Sequence, residues 1–99
     1  MPVFAVTYTY TDDTAGRDAH RPAHKKFLRG LADRGINLCS GPFASGEVPG
    51  ALLLLRATSE HEATAHTEDD PFREHGLVSR VTAVEWNPML GPLAAKMQP

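Results

Sequence analysis

Pro49-Gly50-Ala51-Leu52-Leu53-Leu54-Leu55-Arg56-Ala57-Thr58-Ser59 is the stretch on which the fold turns. Leucine and alanine favour helix by propensity, and a helix from 51 to 67 would use it. Two features oppose that reading. Pro49-Gly50 and Thr58-Ser59 bracket a piece of strand length, and Ser59-Glu60-His61-Glu62 is a capping-box pattern that opens a new helix at Ser59. Ala51–Leu55 is therefore read as a strand. It has no polar alternation, so both of its faces require burial.

Working outward, Val3 to Tyr10 is rich in β-branched and aromatic residues and reads as a strand. Phe4, Val6, Tyr8 and Tyr10 share one face of it, with Val3, Ala5, Thr7 and Thr9 on the other. Residues 11–16 form a polar loop. A helix follows, starting near Arg21 because Pro22 suits a first turn and ending at Gly35 as its C′ residue. Ile36 to Ser40 is a second strand, stopped by Gly41-Pro42, and residues 44–50 are a turn-rich connector. Beyond the leucine run, a helix spans about Glu60 to Glu68, Pro71 breaks it, and Val78 to Trp86 is the last strand. Asn87 to Pro99, with three prolines, reads as an irregular tail.

The order is β-α-β-β-α-β, an α+β ferredoxin-like arrangement with an antiparallel sheet. Its helices cover one sheet face and leave the other open. The all-apolar leucine run then calls for a second copy of the chain, giving a homodimer whose sheets enclose a shared apolar interior.

Ninety-nine residues fit one domain with a modest core, built on about residues 3–86 and followed by the tail 87–99. With 41% hydrophobic and 22% charged residues the chain is globular in composition. A net charge of −2 and no basic run beyond Lys25-Lys26 argue against nucleic acid as a partner. Cys39 stands alone, which excludes an internal disulfide and fits a reducing compartment; its apolar surroundings suggest a buried, inert thiol. Met1-Pro2-Val3-Phe4 lacks the features of a signal peptide, and the longest apolar run is too short for a bilayer. No membrane association is expected, and the expected location is the cytoplasm.

The chemistry centres on His24. Positions 24, 27, 28 and 31 follow the i, i+3, i+4, i+7 spacing of one helical face, so His24 extends the stripe of Phe27, Leu28 and Leu31. An imidazole pointed inward must find a partner. Asp70 can supply one, orienting the ring and turning it into a proton-transfer group. The competing reading is a structural His–Asp hydrogen bond that anchors one helix to the other. Arg21 can bind a substrate carboxylate or pair with Asp18 or Asp70. Ser40 and Gly41 can present a hydroxyl or backbone N–H groups to a developing oxyanion, or simply end a strand. Phe72 and Tyr8 are further candidates for the pocket wall, although a strand tyrosine is more often core. His20 and His24 have metal-ligand spacing, but a helix starting after His20 spoils it, and His61 and His66 pair poorly; solvated histidines are the better reading and no metal is expected. No nucleophile elbow, phosphate loop, CxxC pair or dinucleotide fingerprint occurs, so no cofactor is expected.

Arg21-Pro22-Ala23-His24, Ser40-Gly41-Pro42, the Ser59-led helix with Ala63 and Ala65, Asp70-Pro71-Phe72 followed by Gly76-Leu77, and Trp86 closing the last strand resemble the YciI-related (YCII) domain. The resemblance implies a dimeric α+β barrel of ferredoxin-like protomers. It also implies that the histidine of R-x-x-H and the aspartate of D-P-F/Y, here His24 and Asp70, form a paired active site. One member type of that family is a dehydrochlorinase of a chlorinated hydroxyhydroquinone, and related barrels include muconolactone isomerases. The longer tail and the polar loop before the first helix depart from the family pattern, so the substrate does not carry over.

The combined expectation is a cofactor-independent homodimeric enzyme of lyase or isomerase type. In it, His24, oriented by Asp70, moves a proton on a small cyclic or aromatic oxygenated substrate. Its rivals are a non-catalytic dimeric module that binds a small molecule or partner, and a cofactor-independent oxygenase or cyclase. Whether His24 reaches a cavity or is sealed by packing separates the first two.

Overall fold

The computed structural model describes residues 1–98. Its elements are β1 (Val3–Tyr10), α1 (Thr14–Asp33), β2 (Asn37–Pro42), β3 (Gly50–Arg56), α2 (Glu60–Ala65), a single-turn α3 (Pro71–Glu74) and β4 (Val78–Trp86), followed by a short 3₁₀ turn (Ala94–Met97). The four strands form one antiparallel sheet in the order β2-β3-β1-β4, the ferredoxin-like arrangement. The leucine run is a strand.

Register explains the core. Phe4 pairs with Leu55, Val6 with both Leu53 and Ala83, and Tyr8 with Ala51, so these residues share one face. All seven are buried, and Ala63 of α2 and Leu28 of α1 pack on them. At Gly50 the strands approach so closely that a Cβ would collide with the Tyr8 carbonyl. The opposite face carries no helix. Leu52, Val84 and Trp86 are exposed there, as is Cys39 on β2. The thiol is thus not buried as expected, because strand alternation turns it away from the helices.

The first helix starts a full seven residues before Arg21. Asp13 caps it, its carboxylate accepting from Gly16 N at 2.8 Å and its carbonyl from Arg17 N at 3.2 Å. Pro22 therefore lies inside the helix, where it lacks the N–H that would reach Asp18. His24 is mid-helix and not in a first turn, and His20 lies on the same helix. The C-terminus is as read: Gly35 adopts φ +76° and closes the helix with bonds to Ala32, while Ile36 N reaches Leu31.

Smaller differences have equally local causes. β2 runs through Gly41-Pro42 because it is an edge strand, where a missing N–H costs no ladder bond. Ser59 caps α2 by accepting from Glu62 N at 3.1 Å, but the Glu62 carboxylate reaches back to Thr58 N at 3.1 Å and Thr58 Oγ1 at 2.8 Å. That helix stops at Ala65, short of Glu68. The tail folds onto its own chain: Arg56 donates to the carbonyls of Met1, Lys96 and Gln98. Met89, Leu90 and Leu93 remain exposed. No helix among the described residues is long and apolar enough to cross a membrane.

Candidate active site

Asp70 is the N-cap of α3, and Pro71 at the first helical position presets its backbone. Its side chain is fully buried and accepts three hydrogen bonds. Phe72 N donates to Oδ1 at 2.9 Å, Tyr8 Oη to Oδ2 at 2.8 Å, and His24 Nδ1 lies 2.8 Å from Oδ1 and 3.0 Å from Oδ2. An unpaired buried carboxylate is very costly, whereas three donors, each in a charge-assisted bond to it, can hold it ionised.

An ionised carboxylate only accepts, so His24 must carry its proton on Nδ1. Nε2 is then the free nitrogen, and His24 lines a cavity. The imidazole is further fixed by Phe72, whose ring stacks on it with centroids 3.8 Å apart and planes 3° from parallel. Tyr10 meets Phe72 edge-on at 5.6 Å, and the buried Arg17 guanidinium lies 4.8 Å above the Tyr10 ring while donating to Thr11 O. The ring of His24 thus has one orientation and one tautomer.

The cavity holds about 330 Å³ between α1, the β2–β3 end of the sheet and Phe72. Such a volume lies at the lower end of the roughly 300–1,000 Å³ range of small-ligand sites. Arg21, Ser40, Gly41 and Phe72 line it together with His24. Arg21 also pairs with Asp18. Gly41 borders the cavity through its backbone: it pairs with Leu52, so a Cβ there would stand on the open sheet face, where it would meet nothing within 4 Å.

Tyr8 does not reach this wall. It is fully buried, donates its hydroxyl to Asp70 Oδ2 and is not among the residues that line the cavity. Burial first, and then the neighbouring Asp70 charge, push its phenol far above the ordinary range, so it stays a donor. The sequence reading missed Tyr10, Lys25, Leu28, Arg29 and Asn37 as wall residues. Lys25 and Arg29 follow Arg21 at four-residue steps, a signal that was present in the sequence.

Other histidines lie elsewhere. His20 stacks on His75 at 3.7 Å, and His66 Nε2 is 3.6 Å from Glu62. Among the described residues no three His, Cys, Asp or Glu side chains gather as metal ligands.

With this geometry in view, the comparison with protein families is decisive: the model of the YCII-related domain matches residues 1–87. The chain belongs to the YCII-related family. No curated protein matches it in sequence. In fold, this YCII-related protein is similar to the 5-chloro-2-hydroxyhydroquinone dehydrochlorinase TftG of Burkholderia phenoliruptrix AC1100, solved with 2,5-dihydroxybenzoquinone. That match has a TM-score of 0.71 and 23% identity, and covers 85% of this chain and 92% of that one. It is also similar to Rv0793 of Mycobacterium tuberculosis, with a TM-score of 0.54 and 16% identity over 93% and 99% of the two chains.

The protonation of the site yields a pH prediction. Burial, followed by the Asp70 charge, raises the Tyr10 phenol as well, so both tyrosines lie above their ordinary 10.0 in the folded state. The folded protein then holds these protons more tightly than the unfolded chain. This contribution to stability is full below pH 10.0 and is lost as pH rises above it. In an alkaline titration, phenolate absorbance should appear only together with loss of the folded circular-dichroism signal. A phenolate step at the ordinary value in folded protein would contradict this environment.

Proposed function

We infer that this YCII-related protein is a cofactor-independent enzyme in which His24, oriented by Asp70, transfers a proton on a small cyclic oxygenated substrate. The observation that carries the reading is a single-tautomer imidazole. Its Nδ1 is held by a buried carboxylate, and its ring forms part of the wall of a ligand-sized cavity. Nothing in an anchoring role requires the histidine to face that space. The ring is largely buried but keeps 11% of its side-chain surface exposed, and this opening supports proton transfer over a sealed anchor.

In this mechanism Nε2 removes a proton from a ring C–H or O–H. The freed electron pair forms a new π bond. In an elimination, a leaving group such as chloride departs with its bonding electrons. In an isomerisation, the proton returns to another carbon. Asp70 stays ionised and stabilises the imidazolium formed in between, as in other His–Asp pairs. The fold-level likeness to a dehydrochlorinase solved with a dihydroxybenzoquinone supports this reaction class for a substrate of ring size. Arg21, Ser40, Gly41 and Phe72 are proposed as binding residues.

The uncovered sheet face supports a homodimer. Leu52, Val84 and Trp86 lie exposed together with no helix over them, and sheet-to-sheet packing of two copies would bury them. Light scattering should give a dimer mass, and Val84→Lys should lower it to that of a monomer; a monomeric wild type would remove this part of the proposal.

The catalytic reading is tested on a panel of halogenated hydroquinones and cyclic enols. With a substrate so identified, His24→Ala should lose about 10²–10⁴-fold in kcat while ligand affinity changes little. Undiminished kcat in that variant would remove His24 from the chemistry, and binding without turnover by the wild type across the panel would leave the protein a binding module.

A further inference from the structure

The charge around the cavity is one-sided. Arg21, Lys25 and Arg29 all line it, and no aspartate or glutamate does. Four residues apart, they form one rail along α1, about 12 Å long at a rise of 1.5 Å per residue. His24 and Leu28 run along the neighbouring row and also face the cavity. Arg21 has Asp18 as its partner, whereas Lys25 and Arg29 have no carboxylate partner among the described residues. Like charges at this spacing repel and weaken a helix. The chain as a whole carries net −2, so a positive wall does not follow from its composition.

A second observation lies on β2. Asn37 Nδ2 donates to Leu28 O at 3.3 Å and to Ser40 Oγ at 3.0 Å. A backbone carbonyl only accepts, so Leu28 fixes which end of the amide is nitrogen. Ser40 Oγ thereby accepts from Asn37, and its own proton has no acceptor among the described residues. Ser40 lines the cavity. The hydroxyl is thus set up as a donor to a ligand oxygen. The wall offers two free cations and a hydroxyl whose proton is free to be donated, with Leu28, Leu53, Pro42 and Phe72 as apolar surface.

We propose that the cavity takes a small cyclic organic anion, its negative oxygen held by Lys25 and Arg29 and a second oxygen accepting from Ser40. This names the substrate class for the proposed activity and rests on that reading for the reacting proton. The anion is either a carboxylate or an acidic, ionised ring enol, since both present the same oxygen chemistry to the rail. Asn37 is a positioning residue that acts through Ser40.

The test is binding, read by calorimetry on the wild-type protein. Three probes are used: benzoate for the carboxylate, 2,5-dihydroxybenzoquinone for the ionised enol, and benzamide as the neutral analogue. At least one anion should bind about tenfold more tightly than benzamide, and added salt should reduce that preference. The preferred anion identifies the source. The exposed double substitution Lys25→Gln with Arg29→Gln should remove the preference while the melting temperature holds, and Asn37→Ala should weaken the anion as much as Ser40→Ala does. Equal binding of all three probes, no measurable binding of either anion, or an unchanged preference in the double variant overturns the proposal. Retained anion preference with a fully active His24→Ala enzyme would instead sink only the proton-transfer reading. A lost preference with His24-dependent turnover would do the reverse.

Discussion

A buried carboxylate is the constraint around which this protein is arranged. Asp70 has no access to water, and its oxygens are served by a phenol from β1, an imidazole from α1 and a backbone N–H from α3. Each donor comes from a different element, so the charge can be held only when sheet, long helix and short helix are all in place. Removing one donor would leave part of a buried charge uncompensated, a loss of about 1.5–3 kcal/mol for a hydrogen bond to a charged group. The cluster therefore ties the fold together while fixing the histidine.

That fixation has a chemical consequence. Because Asp70 can only accept, the proton of a neutral His24 sits on Nδ1 and the bare nitrogen is Nε2. Phe72 stacks on the ring and prevents it from turning, Tyr10 meets Phe72 edge-on, and Arg17 lies over the Tyr10 ring. Orientation is thus settled before a ligand arrives, which is what efficient proton transfer requires. The cations of α1 and the Ser40 hydroxyl border the same space and give it a sign and a direction.

Much of this was legible in the chain. The leucine run could be read as a strand because Pro49-Gly50 and Ser59 limited its length, and the remaining order followed from it. His24 and Asp70 were visible as a polar break in an apolar stripe and a matched motif. The start of α1 was not, because Pro22 is a strong first-turn signal and the Asp13 cap competes with it only through a side chain that accepts from an N–H three residues on. Tyr8 was placed on the correct strand face, yet its depth beneath Asp70 depends on where α3 docks. Cys39 was misread for a related reason: an apolar neighbourhood in sequence does not say which face of an edge strand is covered. The cationic rail was present as a simple four-residue spacing, but only the fold shows that it borders a cavity.

The central claim is best tested by isotope-edited NMR of the histidine ring nitrogens at a pH where the imidazoles are neutral. His24 should show a proton on Nδ1 and a bare Nε2, and this preference should disappear in Asp70→Asn, while the exposed His61 is the same in both proteins. A His24 ring protonated on Nε2, or one that exchanges between tautomers like His61 and ignores the Asp70 substitution, would contradict the account.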